Sequence, residues 1–249
     1  MSHAILDQTA QLRWWTQEEI EYREDALRHL SRVIQTALLG LNRAWRFERV
    51  EGPMLVPRSM VAPGYTDDDL WAVKAEIAGE GATMRPETTA SSYMAARRII
   101  GNGTEKEQAK KLPLCVWQVG KSYRRESSDG ANAAKLRFFE FTQAEWQCIY
   151  GLNTMADYRE AVMPALEKKL GWLCDAETRV VPSDRLPGYS ERTDDVEVNR
   201  LMPDGSYRWT EVCSVSTRTD FEGARVLEIA VGLDRVVDIA SDTGVPVRS

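Results

Sequence analysis

Two neighbouring stretches decide the fold: Gly120-Lys121-Ser122-Tyr123-Arg124-Arg125-Glu126 and Arg137-Phe138-Phe139-Glu140-Phe141-Thr142-Gln143-Ala144-Glu145. Leu114–Arg124 and Leu136–Tyr150 each read as a strand, and the small, polar run Ser127–Lys135 between them reads as a flexible loop. Side chains alternate between the faces of a strand, so Arg124 and Glu126 share one side, as do Arg137, Phe139, Phe141, Gln143 and Glu145. Antiparallel pairing then gathers two guanidinium groups, acids and aromatic rings on one surface. A guanidinium suits a phosphate, a carboxylate accepts from an adenine amino group, and a phenyl ring offers a stacking face. Composition alone favours a plainer account, a solvated sheet surface laced with cross-strand ion pairs.

Outward from this pair, Thr16-Gln17-Glu18-Glu19 is a capping-box pattern ahead of apolar Leu27, Leu30, Ile34, Leu38, Leu41 and Trp45. That spacing predicts one amphipathic helix over 17–45. The prolines in Phe47–Pro57 suit an edge or interface strand. A helical stretch over Thr88–Ile100 is stopped by Gly101-Asn102-Gly103, and a small polar helix follows over Thr104–Lys111. Thr154–Leu170 reads as a helix ending at Gly171, with Pro164 marking a kink or a second start. Val196–Leu201 and Tyr207–Val215 flank Pro203-Asp204-Gly205 as a hairpin, and Arg225–Ile229 runs through Gly232 into a helix beginning near Asp234. Strands joined by short connections predict an α+β fold, an antiparallel sheet flanked by helices, instead of a doubly wound parallel one. The 249 residues read as a single domain, 1–249, without repeat or linker.

With 43% hydrophobic and 28% charged residues, the chain sits in ordinary globular usage, which argues against disordered, collagen-like and disulfide-scaffold classes. The net charge of −6 gives no reason to expect non-specific duplex binding. Cys115, Cys148, Cys174 and Cys213 lie at least 26 residues apart, so they form no close metal-ligand pair. A polar start without a secretory apolar core makes the expected state four free thiols in a reducing, cytoplasmic compartment. Only His3 and His29 could serve a histidine-built site, and no apolar run is long enough for a membrane span.

The segment Tyr123-Arg124-Arg125-Glu126, followed by Arg137 and Phe141, resembles motif 2 of the class II aminoacyl-tRNA synthetases. Val50-Glu51-Gly52-Pro53-Met54-Leu55 is similar to motif 1, the dimer-interface element, and Leu227–Arg235 to motif 3. Within the class the pattern is nearest that of glycyl-tRNA synthetases. Met84-Arg85-Pro86-Glu87-Thr88 looks like their R-P-E-T segment, Gln118–Glu126 like their Q-I-G-K-S-F-R-N-E, and Glu140–Glu145 like their E-F-T-x-A-E. Glu211–Phe221 resembles their E-L-x-G-I-A-N-R-T-D-F, while its E-x-x-S core also looks like seryl enzymes. The likeness covers about residues 17–240.

The resemblance implies ATP-dependent activation of a small amino acid to an aminoacyl-adenylate. Arg124 would hold the α-phosphate, Glu126 read the adenine amino group, Phe141 stack on the base and Arg137 reach the β- and γ-phosphates. Arg235 would complete the clamp, with Arg124 and Arg235 as the catalytic pair. Glu211 and Ser214 would ligate Mg2+; in a regular strand they face opposite sides, so this role requires a bulge or strand end there. Glu87 and Glu145 would hold the ammonium group, beside Arg218 and Ala230. Ala230 stands where the glycyl pattern has serine and Ile229 where it has proline, which widens the expected substrate from glycine to small amino acids. The implied partners are a second copy of the chain, forming a homodimer through motif 1, and a tRNA acceptor stem or a non-tRNA carrier. Only fourteen residues follow Arg235, so a bare catalytic core without an anticodon-binding domain is expected. A non-catalytic accessory or regulatory subunit is the alternative.

Overall fold

The structure, a computed structural model, describes residues 14–126, 136–184, 186–202 and 204–242. The chain begins with α1 (Gln17–Leu41), β1 (Arg46–Arg49) and β2 (Leu55–Pro57). β3 (Ala72–Ile77), β4 (Glu80–Met84), α2 (Thr89–Ile100) and α3 (Glu105–Ala109) follow. The central pair β5 (Leu114–Tyr123) and β6 (Glu140–Gly151) precedes α4 (Tyr158–Cys174) and β7 (Thr178–Pro182). The chain then runs through β8 (Ser190–Leu201), β9 (Tyr207–Arg218), β10 (Ala224–Gly232) and α5 (Leu233–Asp242). The Ser127–Lys135 loop, His3 and Pro203 lie outside the described residues.

Seven strands form the main sheet in the order β1-β5-β6-β10-β9-β8-β7. All its pairings are antiparallel except β1 with β5 at the edge. The expected single strand over Phe47–Pro57 is therefore two: β1 joins this sheet, whereas β2 joins a separate three-stranded sheet, β2-β4-β3. The β3–β4 hairpin, which no strand pattern announces, closes through Ala78 and Gly79, both at positive φ as a tight two-residue turn demands.

One face of the main sheet carries the helices α1, α4 and α5 and holds the principal core. Trp146, Cys148, Cys213, Val215, Leu227, Ile229 and Val231 point into it, meeting Leu30, Ile34, Leu166 and Val236. The α1 capping box forms as its sequence predicts, with Thr16 and Glu19 exchanging side-chain-to-backbone hydrogen bonds of 3.2 and 2.7 Å. The helix ends at Leu41 because Asn42 turns extended; Trp45 continues the apolar series in position only, buried edge-on against Tyr158 at 4.9 Å. α4 starts later than expected, at an Asp157 cap, runs through Pro164 and stops past Gly171 at left-handed Asp175. Trp117 and Trp146 stack at 5.8 Å, and Trp209 lies against Arg179 at 4.3 Å. His29 packs on Trp172 from α1, on the helix-covered side. All four cysteines are free and buried.

The opposite face is divided. One end is apolar, where α2 lays Ala96 and Ile100 over Leu114, Val116, Ile149 and Val226. The other end presents polar side chains buried nearly as deeply, and such groups are stable there only when each finds a partner.

Candidate active site

Alternation places Gln118, Gly120, Ser122, Phe141, Gln143, Glu145 and Gln147 on this polar end of β5 and β6. The register then sets Glu228 beside Gln147 and Ala230 beside Glu145 on β10, and Ser216 and Ser214 beside those on β9. Arg124 follows directly after β5, its backbone N–H donating to Phe139 O at 3.0 Å. Its guanidinium lies 5.0 Å from the Phe141 ring centroid, donates from Nε to Pro86 O at 3.2 Å and from Nη2 to Tyr65 Oη at 3.1 Å. Burial disfavours the Arg124 charge, but Tyr65, Glu87, Glu145 and Glu211 outweigh it and hold the pKa above the ordinary arginine value. Arg137 and Glu126, both predicted nucleotide contacts, lie 3.9 Å apart as an ion pair between the segments that flank β6 and β5.

Arg85 ties these segments together. It donates to Lys121 O at 2.9 Å, Gly52 O at 3.0 Å and Gln118 Oε1 at 3.2 Å, so it is a structural clamp between the start of the small sheet and β5. A Cβ on Gly120 would sit 2.0 Å from Arg85 Nη2, which is why that position needs glycine.

The bulge that Glu211 and Ser214 require is present. Val196 pairs with Cys213 and Glu197 with Glu211, so Val212 is skipped and joins Cys213 in the helix-covered core. The skip returns Glu211 to the polar face, where Arg235 Nη1 contacts its carbonyl at 2.7 Å and its carboxylate at 3.3 Å. Arg235 Nε also reaches Leu136 O at 3.3 Å. Asp195, opposite Ser214 on β8, joins the same patch; burial and the Glu211 charge push its pKa up to about 6 against a hydrogen bond from Ser183. The oxygen donors of Glu211 and Ser214 fit a hard divalent cation.

Beyond Arg124 lies a pocket of three buried carboxylates. Glu145 Oε2 accepts from the Thr88 N–H at 3.0 Å and from the Thr88 hydroxyl, and its Oε1 accepts from Gln143 at 2.6 Å. Glu228 Oε2 accepts from Arg218 Nη1 at 2.7 Å, Gln147 at 2.7 Å and Thr89 at 2.9 Å. Glu87 accepts from the Tyr65 hydroxyl at 3.0 Å and lies 3.5 Å from Arg218 Nη1. Arg218, 1% exposed, is sandwiched by Tyr189 at 4.0 Å and Tyr93 at 5.6 Å and forks onto Asp220. Burial, then the neighbouring Glu228 and Glu87 charges, push the Glu145 pKa up to about 8. Burial likewise raises Glu87 against the pull of Arg218. A positive charge brought near these carboxylates would favour their ionised forms.

The predicted residues Arg124, Glu126, Arg137, Phe141, Glu211, Ser214, Arg235, Glu87, Glu145, Arg218 and Ala230 are thus distributed over one face and its rim. Sequence reading missed Tyr65, Thr88, Thr89, Gln147, Tyr189, Asp195 and Glu228. Period-two alternation from Glu145 and Ala230 could have found Gln147 and Glu228; no local pattern marks Tyr65.

Glycine-tRNA ligase of Bacillus anthracis is 31% identical to this chain over 148 residues, 58% of the chain and 30% of that protein. The Clostridium kluyveri glycine-tRNA ligase is 29% identical over 161 residues, 64% of the chain and 31% of the ligase. Among solved structures, Giardia lamblia prolyl-tRNA synthetase in complex with prolyl-adenylate superposes with a TM-score of 0.63 at 15% identity, covering 88% of this chain and 46% of that one. Naegleria fowleri cytoplasmic serine-tRNA ligase with AMP gives 0.66 at 13% identity, covering 90% and 49%. The chain has the class II aminoacyl-tRNA synthetase catalytic fold. The chain spans about 30% of the length of the glycine-tRNA ligases it matches, and no protein-family model matches it.

Proposed function

We propose that the chain activates a small amino acid with ATP, forming an aminoacyl-adenylate and releasing pyrophosphate. The observation that carries this reading is one continuous path of hydrogen bonds and an ion pair, Arg124 to Tyr65 to Glu87 to Arg218 to Glu228, which sets a phosphate-suited guanidinium beside an ammonium-suited cluster of carboxylates.

In this reading Phe141 and Glu126 receive the adenine, Arg137 and Arg235 the outer phosphates, and Arg124 the α-phosphate. Glu87, Glu145 and Glu228 take the ammonium group and so aim the substrate carboxylate toward Arg124. That carboxylate, with an ordinary pKa of about 3.5, is already ionised and needs no general base. Its oxygen attacks the α-phosphorus, the bond to the β-phosphate oxygen breaks, and pyrophosphate leaves with the electron pair. Arg124 stabilises charge developing at the pentacovalent phosphorus, and orientation supplies the remainder. Glu211 and Ser214 would hold Mg2+, which when bound neutralises phosphate charge. Ala230, a methyl beside Glu145, and the Arg218–Glu228 pair behind it suit a small side chain. The acyl group then passes to a tRNA acceptor stem or a non-tRNA carrier, in the cytoplasm.

ATP–pyrophosphate exchange tests the reading. One small amino acid is expected to stimulate exchange, and Arg124→Ala or Arg235→Ala to reduce it by about 10²–10³-fold or more. Wild-type protein that exchanges with none of the twenty amino acids overturns adenylate formation and leaves the accessory-subunit reading in its place.

A further inference from the structure

We infer that Tyr65 is a positioning residue whose hydroxyl keeps Arg124 and Glu87 apart, one poised for phosphate and the other for the substrate ammonium. This rests on the adenylation reading and assigns a role within that same site.

The hydroxyl stands between opposite charges. It accepts from Arg124 Nη2 at 3.1 Å and donates to Glu87 Oε2 at 3.0 Å, using its single proton and one lone pair with no conflict. A half-buried guanidinium and a buried carboxylate bridged by a single hydroxyl are otherwise drawn into a direct ion pair, since low local dielectric strengthens their attraction. Such a pair would withdraw Glu87 from the ammonium pocket and Arg124 from the α-phosphate, closing the junction where the bond must form.

Tyr65 is itself held firmly. Its ring packs against the Val56, Val61 and Leu70 cluster, its N–H donates to Ala62 O at 3.1 Å, and its carbonyl accepts from Arg58 Nη2 at 2.9 Å. Thr66 and Asp69 cap the following turn at 2.7–2.8 Å, and the Asp69 carbonyl accepts from the Arg125 N–H at 2.9 Å. The last bond fastens this segment to the backbone next to Arg124. The phenol is therefore fixed on the same frame as the two groups it separates.

Tyr65→Phe removes the hydroxyl and keeps the ring, so the apolar cluster is preserved. The expected result in the exchange assay is a rise in amino-acid KM and a fall in kcat, each by about tenfold or more, the loss of two charge-assisted hydrogen bonds. ATP Kd, measured by calorimetry without amino acid, is expected to change by less than the amino-acid KM, because Arg124 is one of several proposed nucleotide contacts. A crystal structure of the variant is expected to show Glu87 moved against Arg124. Unchanged kinetics in an active protein overturns the inference, as does a variant crystal with Glu87 and Arg124 in their original places. A parallel loss of ATP affinity and thermal stability also overturns it, by assigning Tyr65 a merely structural part. Wild-type protein without exchange, together with Glu87 closing on Arg124 in the variant crystal, overturns the adenylation reading and supports the spacer.

Discussion

Glu145 shows how burial changes what a side chain does. It is 2% exposed, held by Thr88 and Gln143, and lies near two further carboxylates. Its pKa of about 8 stands above the ordinary value near 4.3, so between those values the folded protein holds a proton that the unfolded chain releases. Stability from this group is present below pH ~4.3 and is lost as pH rises toward ~8, with a slope of up to about 1.4 kcal/mol per unit. Urea unfolding from pH 5 to 9 is expected to show wild type losing stability relative to Glu145→Gln across that interval; parallel curves would contradict the shift. Gly120 gives a second test. With a Cβ 2.0 Å from Arg85 Nη2, Gly120→Ala is expected to destabilise by about 1–3 kcal/mol through displacement of the clamp, read from the denaturation midpoint. Gly120 was legible as part of a motif, but the reason for it was not, because Arg85 arrives from thirty-five residues earlier in the chain.

Among the elements, the capped helix and the central strands follow from local pattern. Thr16 and Glu19 specify the start of α1 through backbone groups three residues apart, so Thr16→Ala should cost about 1 kcal/mol in unfolding experiments and leave exchange kinetics unchanged. β5 likewise forms where alternation places it, but β6 begins at Glu140 instead of Leu136, whose positive φ breaks the extended run; their pairing brings Phe141 and Glu145 to one side, with Arg124 directly after β5. β9 is different. Its alternation is broken at Val212, and only pairing with β8 shows that one residue is skipped. The motif resemblance demanded such a bulge without giving its position. α4 also departs from local expectation: Pro164 lies inside the helix, whose burial of Val162, Leu166 and Leu170 on the core outweighs the missing backbone donor.

The described residues build a seven-stranded sheet with two unlike faces, one covered by α1, α4 and α5, the other split between the α2 cluster and the polar site, and a separate three-stranded sheet. Beside that site, Met54 and Leu55 are 47% and 39% exposed in the segment that resembles motif 1. An apolar pair at such an element suits a symmetric interface. Light scattering at micromolar concentration is expected to give twice the 28.2 kDa chain mass, and Met54→Asp with Leu55→Asp to return it to the monomer; a monomeric wild type contradicts the interface. The α+β class, the central antiparallel pair, the 196–215 hairpin and the capped first helix were legible in the amino-acid sequence, because alternation and capping act over two to four residues. The parallel edge strand, the separate small sheet, the Arg85 clamp, the Tyr65 bridge and the raised Glu145 pKa came from long-range packing. Each depends on groups distant in the chain meeting where water is excluded, and there an unpaired charge or donor acquires a cost that no local pattern records.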